Sequence, residues 1–269
     1  MRVRLLGTGA ADGIPGWYSD TEVSRHARAV GGREIRSRSA ALIDGHFKID
    51  LPPDTAWQMT RDGLDARDWT GLVFTHSHND HLAVDELQYG LFPFNSNEFL
   101  PFPIYGNTTV CNLIRERYPH WPIETVETRS FEQFEHLGTR VTPIRAHHGS
   151  GDEDTHNLLF EREGRTVLYA TDTGVWLEPT WEFLSGCKVD ALVIECTEGL
   201  ASTQYAGHID VQELFLVVRR LREMGTLGMD ATTWTTHHSH QGQVTHTQFE
   251  QLLQEEGIFA GYDGLEFDV

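Results

Sequence analysis

Gly71-Leu72-Val73-Phe74-Thr75-His76-Ser77-His78-Asn79-Asp80-His81 joins a short apolar run to four metal-capable side chains within six residues. The apolar run reads as a buried strand, and the polar cluster falls where that strand ends and the chain turns. If Thr75 to His78 stay extended, His76 and His78 point to one side, because side chains in a strand repeat every two residues. Asp80 and His81 then lie around the turn. Two imidazoles followed by a carboxylate and an imidazole suit two adjacent metal ions better than one. A histidine tag would sit at a terminus with no strand before it, so a purely adventitious tract is the weaker reading.

Working outward, the same arrangement recurs. Thr139 to Ala146 is strand-like and runs into His147-His148-Gly149. Thr166-Val167-Leu168-Tyr169-Ala170 leads to Thr171-Asp172-Thr173-Gly174, and Thr232 to Thr236 to His237-His238-Ser239-His240. A lone histidine or aspartate after a strand is ordinarily a cap or turn former. Four strand ends delivering His and Asp together predict one composite site.

The remaining chain supplies a scaffold. Val3 to Gly7 reads as a strand entering a glycine-rich turn that is not a P-loop, because no Gly-Lys-Ser/Thr follows. Ser39 to Ile43 and Phe47 to Leu51 read as strands joined through Asp44-Gly45, and Leu158 to Glu161 pairs with Thr166 to Ala170 across a second hairpin. Pro103 to Gly106 and Asp190 to Glu195 are further strands. Helices are expected over Thr55 to Gly63, Leu82 to Leu91, Thr108 to Tyr118, Val211 to Met224 and Phe249 to Glu256. Tyr18 to Arg38 is polar, without clear periodicity, and reads as an irregular loop. The aromatic stretch Phe92 to Pro103 reads first as packing, with a substrate wall as the alternative. No linker or charge block divides the chain, so residues 1–269 are expected to form a single domain of two packed sheets covered outside by helices.

Composition sets outer limits. The 269 residues are 39% hydrophobic and 23% charged, an ordinary globular balance. No stretch approaches the roughly 18 to 20 apolar residues that span a bilayer, and the apolar segment after Met1 is too short for a signal peptide, so a cytoplasmic location is expected. Cys111, Cys187 and Cys196 are scattered and read as reduced core thiols. Forty acidic against 21 basic residues give a net charge of -19, a field that repels polyanions and argues against a nucleic-acid partner.

His76-Ser77-His78-Asn79-Asp80-His81 stands where the metallo-β-lactamase superfamily carries its H-x-H-x-D-H signature, and the chain resembles that superfamily over nearly its whole length. Within it the sequence is most similar to PhnP-type phosphodiesterases, and more distantly to tRNase Z. The further matching segments are Gly7-Thr8-Gly9 through Trp17, Thr142 to His148, Thr171-Asp172-Thr173, Gly207-His208-Ile209-Asp210 and Thr236 to Gln241. The resemblance implies an α/β fold of the α+β four-layer kind, an αββα sandwich of two mixed β-sheets flanked by helices. It implies one metal held by His76, His78 and His148, another by Asp80, His81 and His237, and Asp172 bridging both. His147 is the fallback for His148, and His237 is preferred to His238 and His240 because it directly follows the strand.

The implied cofactors are two divalent ions, zinc or manganese, with iron and nickel also compatible. The implied activity is a phosphodiesterase acting through a shared hydroxide on a small phosphate ester, cyclic esters included, with Asp80 and His208 as catalytic residues. Hydrolysis of a thioester or lactone, tRNA 3′ processing, and a non-catalytic metal-binding role are the alternatives; a homodimer is compatible with all of them. The chain departs from the PhnP type at Ser19, Asp20, Thr21 and Ser24, where those proteins carry cysteines for a structural zinc. With only His26 and His240 as remnants, no structural zinc is expected here.

Overall fold

A computed structural model describes residues 1–149, 151–201 and 205–269. The first sheet collects β1 (Arg2–Gly7), β2 (Ala40–Ile43), β3 (Phe47–Ile49), β4 (Gly71–Val73), β5 (Ile104–Gly106) and β6 (Thr125–Glu127) in that order. The second collects β7 (Phe134–His136), β8 (Thr139–Arg145), β9 (His156–Arg162), β10 (Arg165–Ala170), β11 (Val189–Glu195), β12 (Leu227–Thr236) and β13 (Phe259–Ala260). The chain then returns to the first sheet, where β14 (Glu266–Asp268) pairs antiparallel with β1. Both sheets are mixed. β3 to β6 and β10 to β13 run parallel, and the remaining neighbours pair antiparallel.

Alternate residues of the strands fill two different cores, which is why their sequences read as continuous apolar runs. Leu5, Ile43, Val73, Val167, Tyr169 and Val193 meet between the sheets. Leu6, Leu42 and Leu72 face outward under α2 (Thr55–Asp62) and α3 (Thr108–Arg117), meeting Met59, Val110 and Ile114. On the opposite outer face Leu168, Leu192 and Ile194 lie under α4 (Glu178–Ser185), α5 (Val211–Glu223) and α6 (His246–Leu253). The result is the expected four layers, helix on sheet on sheet on helix.

Several boundaries differ from the sequence reading. Tyr18 to Arg38 is not wholly irregular: α1 (Glu22–Val30) is a helix whose N-cap Thr21 accepts from Ser24 N–H. It buries only Val23, Ser24 and Ala27, too thin a stripe to show as periodicity. Leu82 to Leu91 holds a 3-10 helix, Val84–Gly90, instead of an α-helix. The last helix begins at His246, before Phe249, because Thr245 and Gln248 form a capping box. Strand β3 stops at Ile49 since Asp50 turns to φ 57°. Phe92 to Pro103 divides: Leu100 and Phe102 are buried, whereas Phe92, Phe94 and Phe99 are exposed. Among the described residues no helix is long and apolar enough to cross a membrane.

Candidate metal centre

Strand direction brings the signature residues together. β8, β10, β11 and β12 run in one direction in the second sheet, so His148, Asp172, Glu195 and His237 emerge at one end. The loop after β4 meets them there, tied across the sheets by His156 N–H donating to Thr75 O at 2.9 Å. Asp172 and His237 take the left-handed conformation, at φ 47° and 54°. Aspartate and histidine enter this region more readily than most residues other than glycine, and the turn it makes swings each side chain off its strand end.

Asp172 lies at the middle, nearly fully buried. Its Oδ2 faces His76 Nε2 at 3.7 Å and His148 Nε2 at 3.5 Å, and His148 Nε2 lies 3.2 Å from His78 Nδ1. Its Oδ1 faces His81 Nε2 and His237 Nε2, each at 3.1 Å. Asp80 Oδ2 completes that second group, 3.3 Å from His81 Nε2 and 3.5 Å from His237 Nε2. One carboxylate therefore presents a separate oxygen to each of two donor groups. His78 is the exposed member, so the cluster opens to solvent on its side.

The donors fit divalent cations. His76 Nε2, His81 Nε2 and His237 Nε2 are buried with no hydrogen-bond partner, a costly state unless something else accepts their lone pairs. Each ring is turned by its other nitrogen. His81 Nδ1–H donates to Asp50 Oδ2 at 2.7 Å, and Asp50 also accepts from Thr75 N–H and Thr75 Oγ1–H. Because Thr75 gives its proton to Asp50, His76 Nδ1–H donates to Thr75 Oγ1 at 3.0 Å. His148 Nδ1–H reaches Gly207 O at 2.8 Å, and His237 Nδ1–H reaches Thr197 Oγ1 at 2.8 Å. Partners of this kind fix the tautomer that leaves the ligand nitrogen free. Replacing Asp50 by alanine is expected to weaken metal binding roughly 10- to 100-fold, read by competition with a chromogenic chelator; unchanged affinity would remove Asp50 from the design.

Charge supports the same reading. Burial opposes ionisation of Asp80, yet His81 and His237 hold it well below the usual carboxylate range. Asp172 is likewise held well down against its burial, by His237 and His81. Burial pushes His76 down, joined by His81, whereas His81 itself is driven up against burial by Asp172, Asp80 and Asp50. Two carboxylates thus stay ionised in a buried space lined by imidazoles, a charge balance that divalent cations complete.

All seven expected ligands sit in these two groups. His147 is turned away, its Nδ1–H donating to Val175 O at 2.9 Å. His238 meets Phe249 edge to face with ring centres 5.0 Å apart, and His240 meets Ser19, Thr21 and Asp12. His208 flanks the cluster, its ring centre 4.8 Å from that of His148 and 5.3 Å from that of His237. Its Nδ1–H donates to Glu195 Oε1 at 2.7 Å. Burial lowers the basicity of this imidazole, but Glu195 outweighs that and raises it to about 9. Glu195 is fully buried and also accepts from Thr173 N–H, Thr197 N–H and Thr197 Oγ1–H. The sequence reading missed Glu195 and Asp50. Each is an acid ending an apolar strand, the same signal that singled out Asp172.

A family model described as the beta-lactamase superfamily domain matches residues 42–238. A diphosphatase of the PhnP family superposes with a TM-score of 0.78 at 22% identity, over 100% of this chain and 97% of that one. Zinc-bound PqqB from Methylobacterium extorquens superposes with a TM-score of 0.78 at 18% identity, over 100% of both chains. At such identities these likenesses speak for the fold alone. The coenzyme PQQ synthesis protein B of Bradyrhizobium diazoefficiens is 27% identical over 126 residues, 42% of this chain and 38% of that protein.

Proposed function

The chain belongs to the metallo-β-lactamase superfamily, and from that premise we propose that it is a dinuclear metal-dependent phosphodiesterase acting on a small phosphate ester. The observation that carries this reading is Asp172, whose two oxygens address two donor groups, with an imidazole braced by a buried carboxylate beside them. His76, His78 and His148 would hold one ion, Asp80, His81 and His237 the other, with zinc and manganese both suited to such donors. Two divalent cations bound there supply Lewis acidity toward a phosphoryl group and make water a nucleophile at neutral pH.

The chain's own residues do the rest. Glu195 orients His208 so that its Nε2–H is left to donate to a phosphate oxygen or to the departing alkoxide. General acid assistance of this kind is worth about 10² to 10⁴ in rate. Glu153 accepts from Ser77 N–H and Ser77 Oγ–H and so holds still the loop that carries His76 and His78. The net charge of -19 supports a small-molecule substrate over a nucleic acid.

Protein stripped by chelation is expected to be inactive, and reloading with manganese or zinc to restore hydrolysis of bis(p-nitrophenyl) phosphate or a ribose cyclic phosphate. Asp80→Ala should abolish that recovery. Failure of protein carrying two ions per chain to turn over either diester would overturn the assignment. The likeness to the coenzyme PQQ synthesis protein B favours a second reading, in which the same centre serves coenzyme synthesis. Turnover of acyl or quinone-type substrates, with phosphodiesters inert, would select it.

A further inference from the structure

Against the segment that follows His237 lies an open cleft of about 970 Å³. Its walls are the turn after β1 and the segment after His237. These are laced together, His238 N–H donating to Thr8 O at 2.8 Å and Ala10 N–H to His238 O at 2.9 Å. The wall at His240 is only three residues beyond His237, at most about 11 Å along the chain. β1 is antiparallel to β2, and β2 to β3, so the turn leaves its sheet at the same end as the histidine loop.

Two aromatic side chains stand unusually free here. Trp17 is 71% exposed and Tyr18 is 99% exposed, yet the backbone on either side of them is anchored. Arg28 donates to Gly16 O and to Ser19 O, each at 2.8 Å. Ser19 Oγ and Thr21 Oγ1 lie 3.0 and 3.2 Å from His240 Nδ1, and Asp12 Oδ2 accepts from His240 Nε2 at 2.9 Å. Arg38 is fixed by Asp54 Oδ1 at 2.9 Å and by Ala11 O at 2.8 Å, its guanidinium 5.9 Å from the Trp17 ring. Gln241, Gln243 and Gln248 bring amides to the cleft. A fixed loop that presents solvent-exposed aromatic rings is preorganised for stacking. Amides supply both donors and acceptors for the edge of a polar ring.

We propose that this cleft binds a planar heteroaromatic ring of the nucleobase kind, carried on the ester side of the substrate. Its place beside the scissile bond rests on the phosphodiesterase reading; the ring site itself rests on the cleft. Asp12 and Glu22 in the lining, where the cation Arg38 is already paired with Asp54, disfavour a second phosphate, so the group that enters is an uncharged nucleoside moiety.

The test is titration of adenosine and of thymidine, which carry no phosphate, into metal-loaded protein, followed by tryptophan fluorescence and calorimetry. Saturable binding is expected. The double variant Trp17→Ala/Tyr18→Ala should raise Kd roughly 5- to 150-fold, the range that about 1–3 kcal/mol of stacking gives at 1.36 kcal/mol per tenfold. No saturable binding of either nucleoside into the millimolar range, or binding indifferent to the double substitution, overturns the ring site. Binding that depends on Trp17 and Tyr18 in protein inert toward all phosphodiesters upholds the site and overturns the phosphodiesterase reading instead.

Discussion

Asp172→Asn is expected to reduce bound metal from two ions per chain to one or fewer and to lower hydrolysis on the order of 10³-fold. The magnitude follows from the several kcal/mol that metal activation contributes, at 1.36 kcal/mol per tenfold. Asparagine is the informative replacement because it tolerates the left-handed backbone that Asp172 occupies at φ 47°. Loss of the charge is thereby separated from loss of the conformation. Thermal melting gives an independent readout. A ligand at 100 times its Kd stabilises the fold by about 2.7 kcal/mol, so the wild type should melt higher with manganese or zinc than without. That increment should nearly vanish in the variant. Two ions per chain and a full metal-dependent shift in Asp172→Asn would mean that the carboxylate bridges nothing.

The layers and the donor set were legible because each rested on a repeated signal. Apolar runs ending in His or Asp mark parallel strands that deliver their next residues to one end of a sheet, so the positions of His76, His148, Asp172 and His237 could be anticipated together. The second tier was legible only in part. Asp50 and Glu195 carry the same strand-end signal, but their contacts with His81 and His208 span 31 and 13 residues of chain and depend on sheet packing.

Gly174 shows what sequence cannot announce. A Cβ there would fall 1.7 Å from Ala206 O, so only glycine lets the loop carrying His208 close against the Asp172 loop. The helix Glu22–Val30 escaped because its buried stripe is thin. The sequence reading singled out that region only as the place where the chain departs from the PhnP type. Where the resemblance implied cysteines, Ser19 and Thr21 gather on His240 as a hydrogen-bonded knot, and it braces the wall that presents Trp17 and Tyr18.

Glu195→Gln tests how much of His208's work depends on its partner. The carboxylate accepts from His208 Nδ1–H at 2.7 Å and raises the imidazole to about 9 against the effect of burial. His208 donates a proton only as the imidazolium or as a correctly oriented neutral tautomer. Glutamine keeps the volume but removes the charge, and its amide can present a donor where the ring needs an acceptor. A kcat loss of about 10²-fold is expected, the scale of general acid–base assistance, with two ions per chain retained.

The pH profile separates this role from a structural one. A group that acts protonated loses activity as pH rises through its pKa, and Glu195 holds that pKa up. Cations at the neighbouring centre pull it down in both proteins, so removing Glu195 moves the alkaline limb of kcat further toward acid whatever their contribution. His208→Ala should remove the limb altogether. An unmoved limb in Glu195→Gln, with kcat preserved, would leave Glu195 as a strut for Thr173 and Thr197 and assign the proton to another group.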